Sequence, residues 1–278
     1  ILIFLIVGFC LLIKGADFLV NGASSLAKRL NVREIVIGLT LVAFGTSMPE
    51  TFVNIFSSIN AQDEIVFGNI IGSNIFNILF ILGIAGIVMP ILVKNNTLFM
   101  EIPFSLAAAV LLLILANDTI IFGSRENLLS YFDGFVFILL FIGFLFYVYK
   151  ISQPKSKEKF DVNVYTLPKT IAYILVGFFA LFVGARLVVD YSVLLARILG
   201  VSEKLIALTV ISGGTSLPEL ATSVIAAYKK EYDLSIGNIV GSNIFNILFI
   251  LGISALIRPA NYDAVFNVDS FVLISTTI

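Results

Sequence analysis

A chain of 278 residues that is 59% hydrophobic and only 13% charged, with a mean hydropathy of +1.07, lies well outside the composition of soluble domains. Its formal charge of −1 comes with no basic patch, which excludes nucleic acid as a partner. The single cysteine, Cys10, excludes a disulfide framework, and the absence of histidine removes imidazole catalysis and His-ligated zinc.

Nine apolar segments follow in chain order: about 1–27, 34–59, 66–89, 98–116, 131–150, 169–197, 203–228, 236–257 and 264–278. With its flanks each approaches the roughly 17–25 residues that cross a bilayer, and the last is cut short by the chain end. The predicted fold class is an all-α polytopic membrane protein. The first segment runs into Lys14–Asp17 rather than a small-residue cleavage site, so it reads as a span and not a leader. Lys14 with Asp17, and Arg186 with Asp190 in the sixth segment, are spaced as local ion pairs. The 26 phenylalanines and 9 tyrosines read as lipid-facing or packing residues, and no cofactor-binding pattern is present. The one convincing linker is Ser152–Val164, polar and lysine-rich.

The halves on either side of that linker repeat at an offset of 169 residues. Gly68–Pro90 (GNIIGSNIFNILFILGIAGIVMP) and Gly237–Pro259 (GNIVGSNIFNILFILGISALIRP) agree at 17 of 23 positions, and Gly45–Glu50 (GTSMPE) pairs with Gly214–Glu219 (GTSLPE). Composition alone does not produce an ungapped match of that length, so the chain is an internal duplication. Its parts are a first repeat at 1–150, a linker at 151–168 and a second repeat at 169–278. Five spans precede the linker, an odd number, so the second repeat enters the membrane inverted, as in secondary transporters. By the same offset the fourth and fifth spans have mates near 267–285 and 300–319. The expected whole is therefore two five-helix repeats, ten helices, with the last one or two incomplete or absent here. An outside N-terminus puts eleven Lys and Arg residues on the cytoplasmic side, linker included, against four outside. The expected location is the cell (plasma or inner) membrane.

Glu50 and Glu219 fall at the middle of their spans, where a carboxylate costs about 2.5–3.5 kcal/mol. Pro49 and Pro218 beside them break the helices and free carbonyls near Gly45–Thr46 and Gly214–Thr215. Irregular backbone at that depth is tolerated where it lines a cavity. With the hydroxyls of Thr46, Ser47, Thr215 and Ser216, this is an all-oxygen ligand set of the kind that hard cations take. Ser73 with Asn77, and Ser242 with Asn246, are four apart and share one helix face each. They are read as lining the same site. Asn69, Asn74, Asn238 and Asn243 cannot all face it, and some are expected to cap or brace broken helices. Gly68, Gly72, Gly237 and Gly241 are read as close-packing positions.

These paired motifs resemble the two alpha-repeats of the Ca²⁺/cation antiporter superfamily, in its prokaryotic Na⁺/Ca²⁺ exchanger branch. Here they span about 38–90 and 207–259. The resemblance implies alternating-access exchange of Na⁺ for Ca²⁺. The expected partners are these two ions and the lipid bilayer, with protein partners left open and a monomer allowed; no cofactor and no enzymatic activity are expected. It also implies that Glu50 and Glu219 are the shared carboxylates and that Thr46 and Thr215 offer backbone carbonyls. Ser47, Ser73, Ser216 and Ser242 would complete flanking Na⁺ sites with backbone oxygens of Ala43 and Ser212, and Asn77 and Asn246 would lie at the centre. Several branches carry aspartate at the position of Asn246; with asparagine in both halves, two carboxylates balance one Ca²⁺ and weaken the case for K⁺. The residues alone leave open a Ca²⁺/H⁺ antiporter on the same scaffold, and a passive cation channel.

Overall fold

The computed structural model describes residues 1–121, 123, 126–152, 164–201, 210 and 212–278. Among these, helix is the dominant structure, because a segment without water around it must satisfy its own backbone groups. The helices are α1 (Leu2–Leu30), α2 (Glu34–Thr46), α3 (Met48–Ile59), α4 (Asp63–Val88), α5 (Thr97–Leu115), α6 (Tyr131–Ser152), α7 (Leu167–Ile198), α8 (Leu217–Tyr228), α9 (Tyr232–Ile257) and α10 (Phe266–Thr277). Six of them (α1, α4, α5, α6, α7 and α9) are long and apolar enough to cross a membrane. The bent pair α2–α3, taken as one broken span, brings the number to seven. Part of the expected seventh segment, 202–209 and 211, lies outside the described residues, as does 153–163 of the linker.

The polarity is inverted relative to a soluble protein. Large apolar side chains such as Phe132, Phe146 and Phe179 stand exposed around the perimeter, whereas Glu50, Asn54, Asn74, Glu219, Asn238 and Asn246 are buried. The interior is thus where this chain keeps its polar groups, between α3, α4, α8 and α9.

The contacts sort to two ends, as alternate crossing requires. At one end Lys94 pairs with Asp233 at 2.7 Å and Arg29 donates to the Tyr165 carbonyl. At the other, Arg258 pairs with Asp63, Asn117 bonds Asn267, and the short strands β1 (Leu128–Leu129) and β2 (Ala260–Asn261) pair antiparallel. The two repeats are inverted about an axis between them: α10 packs on α4 as α5 packs on α9, the pairings that the 169-residue offset exchanges.

Three glycine contacts set the spacing of this bundle. Gly237 of α9 meets Gly38 of α2, and a Cβ on either would lie 3.0 Å from the other's Cα. This close approach fits the small-residue reading for Gly237 and Gly241, but not for their mates: a Cβ at Gly68 would meet only the Phe266 ring at 3.7 Å, and one at Gly72 would have room. Between α1 and α7, Gly15 faces Gly177 and Gly8 faces Gly184, with a Cβ at any of them falling within about 3 Å of opposing atoms. α1 has 29 residues and α7 has 32. At 1.5 Å per residue both exceed a hydrocarbon core of about 30 Å, long enough to cross it with length to spare.

Candidate functional site

Each glutamate occupies the first turn of a half-helix. Pro49 and Pro218 sit at the second position of α3 and α8, where a missing N–H costs nothing, and Glu50 and Glu219 follow at the third. The chain bends by 50° between α2 and α3. A carboxylate there is favoured by the positive end of the helix dipole, which offsets part of its burial cost. The corresponding turn before α8 is Ser212–Gly214.

The serine of each motif serves the glutamate of the other. Ser47 Oγ donates to Glu219 Oε1 at 2.8 Å, and Ser216 Oγ donates to Glu50 Oε1 at 3.1 Å. Ser73 Oγ lies 3.5 Å from Glu50 Oε1. Each carboxylate therefore has one oxygen held and the other, Oε2, buried with no hydrogen-bond partner.

The asparagines divide into two kinds. Asn74 and Asn243, equivalent residues of the two repeats, bond each other's backbone carbonyls at 3.1 and 3.3 Å. Their side-chain oxygens accept from Asn246 Nδ2 at 2.9 Å and Asn77 Nδ2 at 2.9 Å. That fixes the amides of Asn77 and Asn246 by their nitrogens and leaves their Oδ1 atoms buried and unpartnered. Asn69 and Asn238 brace instead. Asn69 Nδ2 reaches Asn54 Oδ1 at 2.7 Å and the Glu50 carbonyl at 3.4 Å; Asn238 Nδ2 reaches Ser223 Oγ at 2.9 Å and the Glu219 carbonyl at 3.4 Å. Thr46 Oγ1 donates to Asn238 Oδ1 at 3.0 Å, so its hydroxyl belongs to this brace. The Ala43 carbonyl accepts from Ser47 N at 3.1 Å.

Among the described residues eleven buried side-chain oxygens lack a partner, and six of them belong to these motifs: Glu50 Oε2, Glu219 Oε2, Asn77 Oδ1, Asn246 Oδ1, Ser242 Oγ and Thr215 Oγ1. Buried polar atoms are ordinarily satisfied, and orphans call for an explanation such as an ion. All six are acceptors or hydroxyls, the donor set of a hard cation.

Three features escaped the sequence reading. The crossed serine–glutamate bonds and the Asn74–Asn243 bridge need both halves placed face to face. The helix also widens to π geometry at Gly38–Val42, Asn77–Ile81 and Phe245–Leu251, so Asn77 opens one such segment and Asn246 lies in another. π-bulges recur at functional sites, but no residue type announces them. One pairing needs correction: Asp17 is held not by Lys14, which is exposed, but by Lys229 of the distant α8 end, at 2.5 Å. The Arg186–Asp190 pair is present at 3.6 Å.

Comparison with known proteins adds three kinds of finding. A family model described as sodium/calcium exchanger protein matches residues 1–150 and 169–278. The inner membrane protein YrbG of Escherichia coli is 35% identical over 285 residues, covering 99% of this chain and 85% of its own. The sodium/calcium exchanger MaX1 of Methanosarcina acetivorans is 32% identical over 299 residues, covering 92% and 82%. A solved structure of the sodium-calcium exchanger NCX_Mj, soaked with 10 mM Na⁺ and zero Ca²⁺, superposes with a TM-score of 0.84 at 32% identity, covering 99% of this chain and 87% of that one.

Proposed function

Because the chain belongs to the sodium/calcium exchanger protein family, we propose that the oxygen cage between its repeats is where Na⁺ and Ca²⁺ compete, and that this competition couples their opposite flows. The protein is a secondary antiporter embedded in the membrane. The observation that carries the assignment of the site is the repeat-symmetric set of orphaned oxygens on Glu50, Glu219, Asn77 and Asn246, joined by Ser242 and Thr215.

In this reading Glu50 and Glu219 supply the charge, and Asn77 and Asn246 supply neutral oxygens at the centre. Ser47, Ser73, Ser216 and Ser242 flank them, with the backbone oxygens of Ala43, Thr46, Ser212 and Thr215 available to Na⁺. Ca²⁺ is neutralised by the two carboxylates, whereas Na⁺ ions need the flanking hydroxyls and carbonyls as well. The sets overlap at the glutamates, so one cargo excludes the other. A site emptied of both leaves two buried carboxylates uncompensated, which opposes crossing without cargo.

A unit charge 4 Å from a counter-ion is worth about 4 kcal/mol at an effective dielectric of 20. Glu50→Gln or Glu219→Gln is therefore expected to abolish Na⁺-driven ⁴⁵Ca uptake in proteoliposomes, with Ca²⁺ affinity falling roughly a thousandfold. Near-normal uptake by either variant would remove the glutamates from the mechanism. Ca²⁺ uptake driven equally by a pH gradient without Na⁺ would reassign the coupling ion.

A further inference from the structure

α1 and α7 form one unit. Besides the facing glycines, Ser25 Oγ and Thr170 Oγ1 bond at 2.9 Å and Tyr165 N donates to Ser25 Oγ, pinning one end of the pair. That unit sits off-centre on an otherwise two-fold arrangement. α1 lies along α8, whereas the equivalent pair, α7 and α3, barely touch. The motif glycines record the same displacement. Gly45 is covered by Phe178 and Gly214 by Val189, both from α7. A centred unit would cover Gly214 with Phe9, the mate of Phe178, yet Phe9 is half exposed.

On the side where α1 closes, one side chain ties the unit to the helix that carries Glu219. Lys229, just beyond α8, reaches Asp17 Oδ1 at 2.5 Å and Asn21 Oδ1 at 2.8 Å. The offset of 169 maps this trio onto Asn60, Arg186 and Asp190. Among the described residues the contacts are absent there: Asn60 Nδ2 bonds its own helix at Phe56 O, and the Arg186 and Asp190 side chains are 84% and 61% exposed and paired with each other.

We propose that Lys229 with Asp17 and Asn21 is a latch holding the α1/α7 unit closed on one side, and that Asn60 is its seat for Arg186 and Asp190 in the opposite conformer. Exchanging the roles of inverted repeats generates the other state of such a transporter. In that state α7 lies along α3, and the Asn60 amide offers its oxygen to the Arg186 guanidinium and its N–H to the Asp190 carboxylate. The two seats differ in strength, an ammonium against a neutral amide, so the latch biases the resting equilibrium toward the state seen here. The inference rests on the exchange reading for its two states, but its test does not require flux.

Two cysteines, Asn60→Cys and Asp190→Cys, are placed in a Cys10→Ala background and oxidised in detergent with Na⁺ and Ca²⁺ present. The disulfide is read by mass spectrometry of the linked peptide. Cross-linking is expected, and Lys229→Met should speed it about fivefold, the worth of a partly exposed ion pair. The charge swap Asp17→Lys with Lys229→Asp should return the parental rate. A second pair, Asn60→Cys with Arg186→Cys, guards against misfolding of the first. No cross-link from either pair, or a rate that ignores Lys229→Met, overturns the latch. The exchange reading is judged separately, by uptake in Glu50→Gln.

Discussion

The two glutamates take their meaning from what holds the other atoms still. Asn77 and Asn246 point oxygens into the cage only because Asn243 and Asn74 grip their nitrogens. Asn243→Leu removes that grip and leaves Asn77 Nδ2 without its acceptor, so the amide can turn and present a donor where an oxygen was. A buried group left unpaired costs about 1–3 kcal/mol. Apparent Ca²⁺ affinity, read by calorimetry, should fall about tenfold, although Asn243 supplies no oxygen to the cage. An unchanged affinity would show that the bridge is packing alone. The carboxylates and the Ser/Asn faces were legible in the chain, because a charged residue at mid-span is costly and two copies of it in one context make chance untenable. The bridge was not legible. Asn74 and Asn243 meet across the repeat interface, and a residue cannot reveal a partner 169 positions away until both helices are placed. Asp17 failed for a related reason: a neighbour at i−3 competes with a tertiary partner, and Lys229 prevailed.

Among the elements, hydropathy located the spans within a few residues, since lipid leaves the backbone no alternative to helix. What it could not foresee is the local widening at Asn77–Ile81 and Phe245–Leu251, because π geometry depends on what packs outside the turn. Glycine makes the contrast between face and context testable. In Gly177→Ala the new Cβ would lie 2.7 Å from Leu19 N and 2.9 Å from the Gly15 carbonyl, backbone atoms that cannot yield without parting α1 from α7. Overpacking of this kind costs about 1–3 kcal/mol. Gly143 lies in α6, a helix of similar hydropathy, and has no atom within 4 Å of its Cβ position. Thermal unfolding in detergent should show Gly177→Ala several degrees below the parent and Gly143→Ala level with it. Equal midpoints would mean that α1 and α7 are not held by that contact.

At the scale of the molecule, inversion gives the helices of one repeat counterparts of opposite direction in the other, so orientation must come from the charges that are not duplicated. Lys28, Arg29, Arg33, Lys94, Lys150, Lys229 and Lys230 belong to the end where Lys94 meets Asp233. Arg258 belongs to the end where it meets Asp63. Positive charge near span ends is retained in the cytoplasm, and from this rule we propose that the Lys94 end is cytoplasmic and the Arg258 end external. Two exposed positions report the two ends: Asn95 beside the first and Asp263 beside the second. In a Cys10→Ala background, a membrane-impermeant maleimide added to intact cells should label Asp263→Cys at once and Asn95→Cys only after permeabilisation. The reverse pattern would invert the whole assignment. It would also exchange the sides of the Lys229 latch, because the closed end in this conformer would then face outward. With the expected pattern, the contact of α1 along α8 and the Lys229–Asp17 pair lie toward the cytoplasm and the exposed Arg186 and Asp190 lie toward the outside, so in the proposed exchange Lys229 is the contact that must break for the unit to shift.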